Sequence, residues 1–219
     1  MSWALANASY LAELTWQHIW LSAIPIVCGF LLALPIGWIA HSIRSLRAVV
    51  LATGSLLYTV PSLPLFVILP TVLGQGYLSA INAIVALSLY AFAIMVRAVA
   101  DALDSVPADV LAAATACGYG PWQRAWRVSL PLAGPILLAN MRVVAVSTVS
   151  LLSVAALIGI GNLGMLFTDG FRRQFVTEIV IGMVLIIGVA LLFDRLLVVI
   201  GNRALPWTRL NRHAGVKAR

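Results

Sequence analysis

Three histidines, seven acids and a few cations inside apolar runs are the side chains with which this chain could do chemistry. His18, His41 and His213 stand far apart and make no metal-ligating spacing, so no metal site is expected. His18 and His41 fall at the ends of apolar stretches, where interfacial roles are the expectation. The acids are Glu13, Asp101, Asp104, Asp109, Asp169, Glu178 and Asp194. None forms a relay in the middle of an apolar stretch, which argues against a proton-driven carrier. No G-x-x-x-x-G-K-[ST] stretch is present, so the chain has no phosphate-cradling loop of its own. No nucleophile–base pair is legible, and no catalytic residue is expected. Cys28 and Cys117 fall in different segments and read as small apolar residues rather than a disulfide.

Arg142 stands out, because it lies about a third of the way into an apolar run. An ionisable residue there must face protein or water. It either pairs with an acid or a carbonyl, or extends its head to the membrane surface. Asp194 and Arg195, late in the last apolar run, pose the same choice. Asn140, Ser147, Thr148, Ser150 and Ser153 form a polar stripe that either lines a path or serves close helix packing. Upstream, the segment Tyr58-Thr-Val-Pro-Ser-Leu-Pro carries Pro61 and Pro64, with Pro70 following. Prolines remove backbone hydrogen bonds that lipid cannot replace. The expectation is a segment inside the bundle near a path, with Tyr58, Pro61, Ser62 and Pro64 beside it; the alternative is a kinked packing helix.

Residues 112–131 read AAATACGYGPWQRAWRVSLP. Pro107 suits a first helical turn, with Ser105 as a cap. Val110, Leu111 and Ala114 share a face. Gly118 fits a left-handed stop, and Pro121 opens a second short helix through Trp122 and Trp126. The alanines Ala112, Ala113 and Ala114 allow another protein's surface to approach the backbone.

These residues need elements to hold them. Apolar residues make up 62% of the chain and charged residues 10%, with mean hydropathy +1.03. A soluble domain is nearer half apolar and a quarter charged. The chain therefore reads as an all-α integral membrane protein. Five spans are expected, at 18–40, 48–73, 78–96, 132–157 and 175–200, each near the ~20 residues needed to cross the hydrocarbon core. They form one transmembrane domain over 1–204, with a loop at 97–131 and a basic tail at 205–219. The N-terminus lacks a basic leader, so the first span is expected to direct its own insertion.

The net charge of +7 would raise nucleic acid for a soluble protein, but here the basic residues sit in loops and tail. Arg44, Arg47, Arg97, Arg124, Arg127, Arg203, Arg209, Arg212, Lys217 and Arg219 fall on one side of a five-span chain. That side is expected to be cytoplasmic, with the N-terminus outside, the C-terminus inside and the tail against anionic lipid. The outer loop that starts at Gly159 is glycine-rich. Its Leu163, Met165, Leu166 and Phe167 either cover an outer mouth, meet a partner or fill space.

The spacing of Ala112-Ala113-Ala114, Gly118 and, nine residues later, Val128-Ser129-Leu130-Pro131 resembles the cytoplasmic coupling loop of ABC importer permeases, E-A-A-x-x-x-G-x(9)-I-x-L-P. Ala112 stands where that family usually has an acid, and Val128 stands for Ile. Thr59-Val-Pro-Ser-Leu, Ile158-Gly-Ile-Gly-Asn-Leu-Gly and Asp169-Gly-Phe extend the likeness to nearly the whole chain. It is similar to the short permeases of osmoprotectant importers. The resemblance implies a fold like that of type I ABC importer permeases and a solute such as glycine betaine, carnitine, choline or a proline-like compound. It also implies coupling residues at Ala112, Ala113, Ala114, Gly118, Leu130 and Pro131. Its implied partners are ATPase chains that carry ATP and Mg, a second permease copy or paralogue, and an extracytoplasmic solute-binding protein. No cofactor is expected on this chain. The bacterial cytoplasmic membrane is the implied location. A methionine importer permease is the alternative within transport; a membrane assembly protein is the alternative outside it.

Overall fold

A computed structural model describes residues 2–207, and every element in it is helical. Arg209, Arg212, His213, Lys217 and Arg219 lie outside the described residues. A short α1 (Ser2–Ala6) leads into α2 (Ala8–Ser42). At 1.5 Å per residue α2 is about 50 Å long, well over a bilayer core. It begins ten residues before the expected span because Leu11 and Leu14 continue its inward face and pack beside Leu163 and Leu166.

The second apolar run does not form one straight helix. It divides into α3 (Arg44–Thr59) and α4 (Ser62–Leu73), bent by 101°. Val60 and Pro61 between them are extended, with ψ of 126° and 137°. Pro61 and Pro64 cannot donate the hydrogen bonds that would carry the helix through, so the run breaks instead of kinking. By length and composition the described residues hold four continuous candidate spans, and five if the bent pair counts as one. The pair does join the two ends of the next helix, α5 (Ala80–Asp104). At its start Arg47 pairs with Asp101 and Asp104, while beyond α4 the Gly76 carbonyl accepts from Asn82.

α5 is the most enclosed helix. Gly29 and Gly37 of α2 lie against Ala91 and Val99, so close that an added Cβ would sit 2.4 Å and 2.6 Å from their Cβ atoms. Small residues here bring two backbones into dispersion contact, the main source of helix association in lipid. α6 (Ala108–Ala116) and α7 (Pro121–Arg124) follow. A π-helical turn at Ala125–Ser129 then runs directly into α8 (Leu130–Leu152), which tightens into a 3₁₀ segment at Ser153–Ile158. α9 (Met165–Arg172) and α10 (Val176–Ala204) complete the described chain.

Three apolar clusters hold the bundle. One joins α2, α5 and α8 around Met95, Val96 and Val144; one joins α2, α8, α9 and α10 around Val149, Leu166 and Phe193; one joins α2, α4 and α5 around Leu21, Phe66 and Leu87. Leu163 and Leu166 are fully buried in the second cluster, so these two do not cover a mouth. The loop turns back at Gly159 and inserts them under α2.

Candidate functional site

The segment with the most legible sequence signal is built as a rigid knuckle. α5 continues eight residues past the expected span end at 96, and much of the stretch expected as loop is helical. Pro107 caps α6 from outside, while the Ser105 hydroxyl turns back to the Ala102 carbonyl; Ser105 is therefore not the cap. At the far end Gly118 takes φ +85°. Tyr119 N–H donates to the Ala114 carbonyl and Gly118 N–H to Thr115, a Schellman closure that satisfies the last carbonyls. Ala112 and Ala113 are exposed, and Ala114 is half-buried. Leu111 turns toward the core, whereas Val110 is exposed and does not share its face. Cys117 is exposed at the helix end, not buried, and neither it nor Cys28 forms a disulfide.

α7 is tied to this helix by Arg124, whose Nη1 donates to Thr115 Oγ1 at 2.8 Å. Trp122 packs at a tilt against Trp38 of α2, with ring centroids 5.4 Å apart, and against Trp126 at 5.5 Å. The π turn then delivers Leu130 and Pro131 into the first turn of α8, both half-buried. The exposed alanines therefore connect to two core helices, to α8 through a helical junction and to α2 through the tryptophans. His41, Arg47, Asp101 and Asp104 meet at the same end.

The proline segment is placed differently from the expectation. Tyr58 is 54% exposed, Pro61 and Pro64 are exposed and Ser62 is half-buried, so the break lies on the flank of this chain's bundle. Tyr90 of α5 donates its hydroxyl to the freed Val60 carbonyl, and its ring meets Tyr58 edge-on at 6.1 Å. One turn back, Arg97 Nη2 donates to Ser55 Oγ at 3.3 Å.

Of the expected choices, Arg142 pairs with an acid, and its side chain stays 42% exposed. Its Nε and Nη2 donate to the two carboxylate oxygens of Asp194 at 2.6 Å and 3.0 Å, a bidentate pair joining α8 to α10. Asn140 bonds back to the Ile136 carbonyl and Ser147 is half-buried two turns on. The structure thus brings Arg142 to Asp194, while the Tyr58 group stands apart on α3 and α4.

Three residues named in the sequence stand in surroundings that the sequence reading did not give them. His18 is fully buried within α2 and not at its end. Its Nδ1 accepts from the Leu163 amide at 3.3 Å, so Nε2 carries the proton and donates to the Val149 carbonyl at 3.0 Å. Glu178 is fully buried, and Arg173 donates to its Oε1 at 2.9 Å. Arg97 sits inside α5 rather than after it. The only sequence signal for each is a polar residue inside an apolar helical run.

A model of the family described as the binding-protein-dependent transport system inner membrane component matches residues 26–206. The chain is 33% identical over 196 residues to the osmoprotectant import permease protein OsmW of Salmonella typhimurium, covering 88% of this chain and 91% of that one. It is 26% identical over 206 residues to the glycine betaine/carnitine/choline transport system permease protein OpuCB of Bacillus subtilis, covering 94% of each. Among solved structures, the MetNI methionine ABC transporter in an inward-facing conformation matches with a TM-score of 0.75 at 22% identity, over 92% of this chain and 97% of that one. That likeness establishes a shared fold, the type I importer permease architecture. The chain belongs to the binding-protein-dependent transport system inner membrane component family, and is a multi-pass transport subunit of the inner membrane.

Proposed function

We propose that this family member forms half of the membrane channel of an ATP-driven importer for a compatible solute: glycine betaine, carnitine, choline or a proline-like compound. The similarity to an osmoprotectant import permease along most of both chains is the observation that carries the reading. In this account residues 1–204 are the permease domain and 205–219 a basic tail on lipid. The N-terminus faces outward and the C-terminus the cytoplasm, following the basic residues. ATPase chains holding ATP and Mg dock on the exposed Ala112–Gly118 helix. A second copy or paralogue completes the channel, and an extracytoplasmic binding protein delivers the solute.

The mechanism follows from the rigidity of the knuckle. When the ATPases close on ATP, α6 moves as one body, because its C-terminal carbonyls are closed and Arg124 fixes α7 to it. The displacement passes to α8 at Leu130 and Pro131, and to α2 through Trp122 and Trp38. The bundle opens outward, accepts the solute and returns after hydrolysis. The α3–α4 break and the polar stripe at Asn140 and Ser147 flank the route. Ala112 supplies no carboxylate, so docking rests on shape and on other residues.

A growth test addresses the solute class. Bacteria lacking their own osmolyte uptake, supplied with this chain and its ATPase and binding protein, are expected to grow at high osmolarity when given glycine betaine, carnitine, choline or proline. Absence of rescue by all four, with the complex present in the membrane, would remove the reading.

A further inference from the structure

α3 and α5, which pack on one another, each present an exposed group, Tyr58 and Arg97. Tyr58 is 54% exposed, and Tyr90 packs edge-on behind it. The Tyr90 hydroxyl donates to the Val60 carbonyl and so ties α5 to the break. Arg97 is exposed on α5 and bonds to the Ser55 hydroxyl, with no carboxylate bound to it among the described residues. The other paired cations meet an acid, Arg47 with Asp101 and Asp104, Arg142 with Asp194 and Arg173 with Glu178, except Arg124, which binds the Thr115 hydroxyl near the end of α6. A guanidinium within a candidate span that meets only a neutral hydroxyl retains most of its donors for an anion.

The two groups are in register. Ser55 and Tyr58 are three residues apart on α3, so their side chains lie roughly 5–6 Å apart at Cβ. Tyr90 and Arg97 are seven apart on α5, two turns along the same face, about 10 Å. An aromatic face attracts a quaternary ammonium within about 6 Å of its centroid. A guanidinium accepts a carboxylate at about 2.8 Å. A molecule with both groups one or two carbons apart bridges such a pair; one with the ammonium alone reaches only the ring.

We propose that Tyr58 and Arg97 form a two-point site for carboxylate-bearing quaternary ammonium solutes on the translocation route, the ring taking the ammonium and the guanidinium the carboxylate. This rests on the compatible-solute reading and adds the residues that prefer a betaine over an alcohol such as choline. Ser55 is a positioning residue that holds the Arg97 head. The binding protein still selects the solute first; this site sets how fast each bound solute passes.

The test is uptake by the complete complex, with its ATPase and binding protein, in lipid vesicles with ATP inside. Glycine betaine and choline are each measured at saturating binding protein. Arg97→Gln is expected to lower glycine betaine uptake about tenfold relative to choline, in line with loss of a charge-assisted hydrogen bond. Tyr58→Leu should lower both by about threefold or more, and Tyr58→Phe should keep them. Ser55→Ala separates binding from scaffolding: a purely structural role for the Arg97–Ser55 bond predicts equal losses of both solutes in Ser55→Ala and Arg97→Gln. That outcome, or an unchanged glycine betaine to choline ratio in an Arg97→Gln complex that retains its ATPase, would overturn the site. If the unmodified complex carries neither solute, this site fails; the compatible-solute reading fails with it only if carnitine and proline are not carried either.

Discussion

Gly118 carries a single-residue requirement that can be isolated cleanly. Its φ of +85° is strained for any side chain, yet nothing lies within 4 Å of where a Cβ would stand. Within this chain the cost of Gly118→Val is therefore conformational and not steric, about 1–2 kcal/mol for the left-handed backbone and more for a β-branched side chain. The variant is expected to insert normally and lose most ATP-driven uptake, with Gly118→Ala intermediate; uptake equal to the unmodified protein in both would contradict the coupling role. Arg142 and Asp194 offer a second residue-scale test. Removing either partner leaves a charge within the span region without its counter-ion, so Arg142→Ala and Asp194→Ala are each expected to lower the apparent Tm of the purified complex. The exchanged pair, Arg142→Asp with Asp194→Arg, should recover part of the loss. No recovery, with both single variants already at the unmodified Tm, would show that the pair does not join α8 to α10. The knuckle at Gly118 was legible in sequence because a proline and a glycine punctuate a helix locally. The Arg142 partner was not, since the two residues are 52 positions apart and only the rotation of two helices brings them together.

At the level of elements, spans follow from apolar length, and the four continuous ones form where the hydropathy placed them. Their ends do not. Helices α2 and α5 outrun their apolar cores because tertiary contacts continue past the lipid: Leu14 packs on the loop after α8, and Asp101 and Asp104 meet Arg47. Prolines marked the second run as unusual without fixing its outcome. Pro25 and Pro35 remain inside α2, whereas Pro61 and Pro64, three apart, open the chain by 101°. The α2–α5 contact yields a direct prediction. Gly29→Val places a branched side chain where Ala91 Cβ already lies 2.4 Å from a Cβ. Overpacking of this kind costs typically 1–3 kcal/mol, so a clear fall in apparent Tm is expected. Gly188 faces open space, and Gly188→Val should leave Tm near its starting value. Equal Tm values for the two variants would mean the helices do not meet as described.

For the whole molecule, the residues that cluster at one end give the account its direction. Arg47, Trp38, Asp101, Asp104, Trp122 and the exposed alanines share that end, and His18, Leu163 and the N-terminal part of α10 the other. Accessible reporters fused after Arg124 are expected to report cytoplasmic, and those after Gln75 extracytoplasmic; a reversal of either would invert the proposed orientation. The solute class was legible only through likeness to a family, because no residue pattern in a low-charge bundle names a small solute of low net charge. The most direct test of the central claim is therefore solute uptake by the assembled complex in vesicles loaded with ATP, with methionine as competitor. The account predicts ATP-dependent accumulation of glycine betaine, carnitine, choline or proline that excess methionine does not suppress. ATP-dependent accumulation of methionine, with no uptake of any of the four osmolytes, would contradict it.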